Sequence, residues 1–305
     1  MIRVRCGPLV LAWSMADAPV AERLRQRWQR YQVDAPAHLT VTAEARPLAG
    51  PADHLVMHPV TYTAEGPSVI HVRFGTLMQA TWEVAAQRIT CVYDARLGAE
   101  TPEQLQWTLE CFDILACWLA ALWLPPQGAI LLHTCGVLDD AGRVDLFSGP
   151  SGVGKSTLGG TAPPERVLCD EVLLLTRRDG ALHITTVPWR SHRWGRAPGA
   201  YYPVGRVVLL HRSGDMGTAA LAPHVALNHL LHGGLYGRMV RPADYQRRLA
   251  LAVALVEEHP CYRLRYAWPD EDPWPQIQQL PSVRRAVVPL DTALCGEVAT
   301  GGQGA

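Results

Sequence analysis

The fold is decided by residues 143–157, which read RVDLFSGPSGVGKST. An apolar run typical of a β-strand leads into Gly149–Thr157, and this segment matches the Walker A pattern G-x-x-x-x-G-K-[ST]. We expect the backbone N–H groups from Ser151 to Ser156 to surround a phosphate at the positive end of the helix that follows. The stretch therefore predicts a phosphate-binding loop between a strand and a helix.

Lys155 is the only lysine of the chain, and the other 27 of its 28 basic residues are arginines. A compact ammonium on a flexible stem fits a tight phosphate loop better than the planar fork of arginine. We expect Lys155 to bridge the β- and γ-phosphates of ATP, and the Ser156 hydroxyl to bind Mg²⁺. The predicted nucleotide-binding set comprises Gly149, Pro150, Ser151, Gly152, Val153, Gly154, Lys155, Ser156 and Thr157.

Composition narrows the classes of protein that the chain can represent. Its 305 residues suffice for one large domain or two ordinary ones, and 28 basic against 28 acidic residues create no basic field for nucleic acid. The start of the chain shows no signal peptide, and the most apolar run, 114–124, is too short to span a bilayer. Eight scattered cysteines without a C-x-x-C pair predict buried, reduced thiols. We therefore expect a cytoplasmic protein without a membrane partner.

The first 125 residues predict an α+β region that either recognises the acceptor or extends the sheet. Alternating residues in 68–74 and 89–93 indicate strands of an antiparallel sheet, and 21–31 looks helical. Residues 33–51 are expected to form a loop. The strongest helix signal starts at the N-cap Thr101 and runs to about Trp123, with Gln104 completing a capping box.

Residues 126–305 predict the phosphate-binding core, with a disordered tail from about residue 296. Two hairpins surround the loop, which favours a mixed, largely antiparallel sheet over the parallel sheets of Ras-like and Rossmann-like folds. Gly159-Gly160 and Pro163-Pro164 should cut short the helix after the loop. The remaining predicted elements are the hairpin strands 129–138, 143–148, 166–176 and 181–187, strands 204–212 and 262–268, and helices 223–235 and 242–258.

Two adjacent acids, Asp170 and Glu171, follow Lys155 at a short distance in the sequence. They fall at the centre of the apolar segment 167–175, which predicts a strand with the two side chains on opposite faces. Burying carboxylates there is unfavourable unless a metal ion and a phosphate are nearby. The alternative is that Asp170 is a buried ion-pair residue.

Three segments, Leu132-His133, residues 147–157 and Leu168-Cys-Asp-Glu171, resemble the HPr kinase/phosphorylase and phosphoenolpyruvate carboxykinase superfamily. The similarity is closest to the short HPr-kinase-like proteins associated with lasso-peptide biosynthesis, and it covers roughly residues 129–270. The resemblance implies an α/β fold with a P-loop core. It makes Asp170 the catalytic base, Glu171 the second acid and His133 a polar residue beside the phosphate. The implied Mg²⁺ ligands are Ser156, Asp170 and Glu171.

Arginines must supply the remaining positive charge, because no second lysine exists. Arg190 and Arg193 lie among aromatic residues in 188–196, which suits phosphate or adenine contact, although a solvated loop is the alternative. Arg238 and Arg241 form a second candidate patch. The chain also offers three histidines without metal-ligand spacing, which we interpret as structural: His54, His58 and His71.

These patterns predict an ATP- and Mg²⁺-dependent kinase for a Ser or Thr hydroxyl of a peptide or small protein. The absence of a lysine for an acceptor phosphate argues against carboxykinase chemistry. A kinase for a small hydroxylated metabolite such as serine is one alternative. A nucleotide-binding regulatory or maturation module is the other, favoured by the short helix and by Glu171 where the relatives have Asp. Relatives commonly form oligomers, so the resemblance allows a homo-oligomer.

Overall fold

The computed structural model describes residues 1–48, 60–95, 101–189, 199–235, 242–266 and 272–281. Within this part of the chain, two mixed β-sheets and six α-helices form an α/β protein. The first sheet contains seven strands: β1 (Ile2–Cys6), β2 (Leu9–Met15), β3 (Leu39–Arg46), β4 (Val60–Glu65), β5 (Val69–Phe74), β6 (Met78–Glu83) and β7 (Arg88–Asp94).

The order of strands in the first sheet is β1-β2-β3-β7-β6-β5-β4. Strand β3 is parallel to both of its neighbours, and the other pairs are antiparallel. Trp13, Val41 and Ile89 lie side by side across β2, β3 and β7, and all three are buried. The prediction of a loop over 33–51 was therefore wrong. The strands predicted in 68–74 and 89–93 are confirmed and have antiparallel neighbours, but the sheet as a whole is mixed because β3 is parallel to β2 and β7. Strand β3 alternates buried with more exposed residues, a pattern obscured by the nearby Pro and Ala.

Two helices cover this sheet: α1 (Ala18–Arg27) and α2 (Pro102–Trp123). Helix α1 begins earlier than predicted, because Asp17 accepts the N–H of Val20, and a 3-10 turn over Gln29–Tyr31 follows it. The capping box predicted at the start of α2 is confirmed. Asp113 of α2 accepts hydrogen bonds from Arg27 at 2.6 and 2.9 Å and from the Trp28 indole at 2.9 Å, which fastens the two helices together.

Helix α2 is longer than the apolar run 114–124, which was expected to be too short to span a bilayer. Over Gln104–Trp123 it is long and apolar enough to cross a membrane by length and composition alone, with a mean hydropathy of 1.3. However, 72% of that window is buried inside the fold, and the core helix of a soluble protein passes the same test.

The second sheet, called the core sheet below, contains nine strands in the described residues. They are β8 (Ala129–Leu132), β9 (Thr134–Leu138), β10 (Val144–Ser148), β11 (Val167–Cys169), β12 (Leu173–Arg178), β13 (Ala181–Thr186), β14 (Tyr202–Arg212), β15 (Gly217–Ala220) and β16 (Cys261–Tyr266). Their order is β11-β9-β10-β14-β13-β12-β8, with β16 pairing with β14 and β15. The β9–β10 and β12–β13 pairs confirm both predicted hairpins. The strands predicted over 129–138 and 166–176 are each interrupted, the first between β8 and β9 and the second between β11 and β12. Strand β10 is antiparallel to β9 but parallel to β14.

Helices lie on both faces of the core sheet. Leu158 of α3 (Lys155–Thr161) joins an apolar cluster with Phe147 of β10, and α6 (Trp274–Gln279) contributes Ile277 to it. The next residue back along β10, Leu146, packs in a different cluster with α4 (Pro223–His229) and α5 (Pro242–Glu258). Because neighbouring strand residues face opposite sides, the end of β10 lies between two helical layers.

A buried ion pair fixes β10 to β14. Asp145 accepts from the backbone N–H of Arg206 at 3.1 Å and from its Nε at 2.9 Å, and it also pairs with Nη2. Burial raises the pKa of Asp145, and Arg206 opposes that rise. The same guanidinium donates to the carbonyls of Ile277 and Leu280, which brings α6 to the sheet.

One apolar cluster spans both sheets. It includes most of the buried residues of the first sheet together with Leu131, Leu174 and Trp189 from the core-sheet region. The two regions therefore share packing, and the division at residue 125 stays a prediction. The described cysteines are all buried and none of them forms a disulfide, in agreement with their interpretation as core residues: Cys6, Cys91, Cys111, Cys117, Cys135, Cys169 and Cys261.

Candidate functional site

The glycine-rich loop connects the end of β10 to the start of α3. Gly154 has φ of +108°, a backbone conformation that favours glycine, and a Cβ there would collide with the hydroxyl of Tyr266. That hydroxyl donates a hydrogen bond to the carbonyl of Val153. A Cβ at Gly149 would lie 2.6 Å from Cγ1 of Val153. The loop is thus packed against β16, and its shape requires the glycines that the motif contains.

Lys155 lies over this loop and is only 6% exposed. Its ammonium donates to the carbonyl of Gly149 at 2.9 Å and to that of Pro150 at 3.2 Å. Burial lowers the pKa of Lys155, while the charges of Glu171 and Cys135 act in the opposite direction. The ammonium is therefore held at the loop in a partly desolvated position, where an anion would strengthen its charged form.

The hydroxyl residues of the motif follow on the first turn of α3, and both Ser156 and Thr157 are exposed. Helix α3 is seven residues long, so the predicted early end is confirmed. Gly159 permits its close approach to the sheet, because a Cβ there would be 2.9 Å from Sγ of Cys135 and 3.8 Å from Cβ of Asp170.

The acid pair does not lie at the centre of a strand, and that prediction was wrong. Asp170 and Glu171 occupy a break between β11 and β12, where the N–H groups of Glu171 and Val172 turn to Sγ of Cys169 at 3.4 and 3.3 Å. Two adjacent carboxylates resist continuous strand burial, which favours the break. Asp170 is 2% exposed and lies against α3, and the charge of Glu171 reaches Lys155. Tertiary packing thus brings both acids to the loop.

His133 lies in a matching break between β8 and β9 and is half-buried. Its backbone N–H donates to the carbonyl of Gly234 at 2.8 Å, and an isolated bridge joins Leu132 to Leu235. The structure therefore places His133 where the segment after α4 crosses the sheet.

The predicted arginines Arg190 and Arg193 lie outside the described residues, as do Arg238 and Arg241. Of the three histidines interpreted as structural, His54 and His58 also lie outside them. His71 contacts the hydroxyl of Thr81 at 3.0 Å and the carboxylate of Glu65 at 3.3 Å, on the first sheet.

A basic cavity that the sequence did not predict adjoins the loop, with a volume of about 720 Å³. Pro150–Val153 form one wall, and His229, His232, Arg212 and Arg263 contribute basic side chains. The spacing of His229 and His232, one helical turn apart, was the available sequence signal.

His229 is the residue of this cavity most closely tied to the loop. Its Nε2 is buried and has no hydrogen-bond partner among the described residues. Burial lowers the pKa of His229, and the charges of Lys155, Arg263 and His232 lower it further. Both effects favour the neutral imidazole, which can accept a hydrogen bond.

Two further polar groups lie beneath the loop. Thr134 and Ser148 are opposite each other on β9 and β10, and both are fully buried. Within the described part of the chain, neither hydroxyl has a hydrogen-bond partner. Buried hydroxyls without partners are unfavourable in a stable core, so these two point to a ligand or water at the site.

The donor set suits Mg²⁺ better than a transition metal. Among the described residues no group of three or more His, Cys, Asp or Glu side chains is close enough to hold a metal ion by itself. Mg²⁺ is ordinarily bound through one or two carboxylates together with substrate phosphates. Asp170, Glu171 and the Ser156 hydroxyl therefore fit such a shared site.

Comparison with known proteins does not provide a family for this chain. No known family and no curated protein matches it. Among solved structures, the HPr(Ser) kinase/phosphatase from Coxiella burnetii is similar at 12% sequence identity and a TM-score of 0.25, over 48% of this chain and 84% of that one. The class is therefore defined by the fold itself, an α/β protein with mixed sheets that brings a glycine-rich loop and an acid pair together.

Proposed function

We propose that this protein is an ATP-dependent phosphotransferase that phosphorylates a Ser or Thr hydroxyl. The observation that carries the proposal is the convergence of Lys155, Asp170 and Glu171 around the glycine-rich loop, with Glu171 acting electrostatically on the ammonium. Phosphoryl transfer requires positive charge around the transferred group, a metal ion and a group that orients the acceptor hydroxyl. This convergence can meet all three requirements.

The loop and its lysine bind the phosphates in this proposal. The Lys155 ammonium exchanges its two carbonyl partners, on Gly149 and Pro150, for phosphate oxygens. Ser156, Asp170 and Glu171 would hold Mg²⁺, which neutralises phosphate charge when bound. The basic cavity adds His229 and Arg263 on the other wall of the loop.

Asp170 serves as the general base. Its carboxylate accepts the proton of the acceptor hydroxyl while the hydroxyl oxygen forms a bond to the γ-phosphorus and the bond to the ADP oxygen breaks. Burial beside α3 excludes bulk water from the carboxylate. The same burial leaves an ion-pair role as the competing explanation for Asp170, which the experiment below separates.

For the acceptor we propose a peptide or small protein, specifically a ribosomally made precursor peptide of the lasso type. The resemblance of residues 147–157 and 168–171 to the lasso-associated kinases supports this class. In the proposed arrangement the seven-stranded first sheet contributes to acceptor binding, and the protein acts in the cytoplasm, with a homo-oligomer allowed.

A nucleotide-binding maturation module is the second candidate. Helix α3 has only seven residues, of which two are glycines, so the loop has a weak helical support. Such a module would bind ATP without transferring phosphate to any acceptor.

The test is transfer of label from γ-labelled ATP to serine-containing precursor peptides encoded beside the gene, with free serine as a second acceptor. We expect Asp170→Asn to lower kcat by about 10²–10⁴-fold while ATP binding remains. The matched control is Asp140→Asn, an exposed carboxylate that pairs with Arg166 on the adjoining hairpin turn.

The outcomes separate the candidates. Full-rate turnover in Asp170→Asn would remove Asp170 as the base, and a loss of thermal stability without a change in kcat would assign it an ion-pair role. Tight ATP binding with no labelled acceptor would favour the maturation module. Label in free serine but not in the peptides would favour the metabolite kinase.

A further inference from the structure

A second cavity of about 280 Å³ lies where the first sheet meets the core sheet. Its walls carry Arg5 from β1, Arg30 and Tyr31 from the 3-10 turn after α1, and Arg178 from the end of β12. The three arginines come from separate segments of the chain, and none of these residues lines the basic cavity beside the loop. We refer to this cavity as the arginine pocket.

The charge of the arginine pocket is of one sign. Three of its lining residues are arginines, all of them exposed, and no carboxylate is among its described lining residues. Arg178 stacks over the ring of Tyr201, with 3.9 Å from its Cζ to the ring centroid, so the guanidinium has a defined position. An anion in the cavity would be attracted by these arginines, although solvent screens each exposed charge.

Neutral hydrogen-bonding groups complete the lining. Thr185 is 1% exposed, and its hydroxyl has no hydrogen-bond partner in the described part of the chain. Thr186 and Tyr31, both buried, lie beside it in the same wall. A buried hydroxyl without a partner among the described residues, in the wall of a cavity lined by arginines, is expected where a ligand supplies the missing hydrogen-bond acceptor.

We propose that the arginine pocket binds the phosphoryl group of a small molecule. Arginine forks match the oxygens of phosphate in pairs, and a threonine hydroxyl can donate to a further oxygen. The volume lies just below the usual range of sites for drug-sized ligands, which favours inorganic phosphate or a compact phosphomonoester over a nucleotide. This inference concerns a separate site and does not rest on the proposed phosphotransfer.

The position of the pocket connects it to the acid pair. Thr186 on β13 pairs with Leu173, the first residue of β12, and the break that holds Asp170 and Glu171 ends directly before that residue. A ligand in the pocket would therefore order the strand pair from which the acid pair projects.

The experiment is calorimetric titration of the full chain with inorganic phosphate and with phosphoserine. Acetate is titrated in the same way to test whether a carboxylate binds as well. Lys155→Met removes the glycine-rich loop as an alternative phosphate site. In that variant we expect phosphate binding to remain, and in Arg178→Gln we expect it to weaken about tenfold. The matched control is Arg177→Gln, the adjacent exposed arginine, whose surface ion pair with Glu258 should contribute little to stability.

The variant Thr185→Val tests whether the threonine hydroxyl binds the ligand or only supports the fold. Removing an unpartnered buried hydroxyl should leave the melting temperature of the ligand-free protein unchanged or raise it, while phosphate affinity falls. Phosphate binding lost in Lys155→Met but kept in Arg178→Gln would place the anion on the loop and overturn the proposal. Absence of binding at millimolar phosphate, or equally strong binding of acetate, would overturn it too.

Discussion

The glycine-rich loop and the arginine pocket are both concentrations of positive charge, but they are built in opposite ways. The loop has one lysine inside a continuous segment, and burial lowers the pKa of the neighbouring His229. The pocket assembles arginines from three separate segments around a buried Thr185. Charge on the loop can therefore change with pH, whereas guanidinium charge cannot in the ordinary range. A group whose charge can change suits a reaction, and groups of constant charge suit steady binding. The loop and the pocket therefore place these two kinds of chemistry in different parts of the fold.

The largest expected effect comes from backbone strain in the glycine-rich loop, which the arginine pocket does not share. Gly154→Ala places a Cβ at φ of +108° against the Tyr266 hydroxyl, so we expect a loss of about 2–4 kcal/mol in the free energy of unfolding and the loss of ATP binding. Denaturant unfolding and ATP titration measure the two effects. Phosphate binding in the arginine pocket should survive.

The control for that substitution is Gly142→Ala, at φ of +75° in a hairpin turn where a Cβ would have no neighbour within 4 Å. We expect it to cost about 1 kcal/mol and to leave ATP binding unchanged. Equal effects of the two alanines would show that the contact with Tyr266 does not shape the loop.

A smaller effect should be seen near the loop, in how the melting temperature responds to acid. Because the pKa of His229 is lower in the folded protein than in the unfolded chain, the unfolded chain takes up a proton first as pH falls through about 6.5, and stability is lost. We expect the fall in melting temperature between about pH 7.5 and pH 5.5 to be smaller in His229→Gln than in the wild type.

The neighbours that face His229 are Lys155, Arg263 and His232, all basic, so they reinforce the direction of that effect. His224→Gln, an exposed histidine on the same helix, is the matched control and should retain the wild-type pH response. A pH response in His229→Gln as large as that of the wild type would contradict the prediction.

The smallest expected effect concerns the pocket. Sulfate stays fully charged across the neutral range, so its affinity for the arginine pocket, measured in Lys155→Met, should change less than about twofold between pH 6 and pH 9. At the loop, measured in Arg178→Gln, affinity should fall at high pH, because the lowered pKa of Lys155 brings its deprotonation closer. If sulfate affinity had the same pH profile at the two regions, the prediction would be contradicted.

Much of the local structure could be predicted from the sequence, and the predictions that failed did so for identifiable reasons. The capping box at Thr101 and the hairpins around the loop depend on hydrogen bonds between residues close in the chain, and they were predicted correctly. Strand β3 was missed because its partners on both sides are parallel and lie far away in the sequence. The segment around Asp170 was assigned to a continuous strand because apolar composition does not reveal a break.

The candidate site divides in the same way. The residues from Gly149 to Thr157 can be recognised in the sequence, because a phosphate loop needs glycines for particular backbone angles and a lysine at a fixed position. His229, Thr134 and Ser148 gave no comparable signal. Each is an ordinary residue for its element, and only the packing of β9, β10 and α4 leaves their polar atoms buried without a partner among the described residues.

By itself, therefore, the sequence determined the elements whose requirements are local: the glycine-rich loop, the capped helix α2 and the short helix α3. The tertiary structure alone decided what lies next to the loop and what forms the arginine pocket. The physical reason is range. Backbone angles and capping bonds act within a few residues, whereas the meeting of Arg5, Arg30 and Arg178 depends on how two sheets pack across a shared apolar cluster.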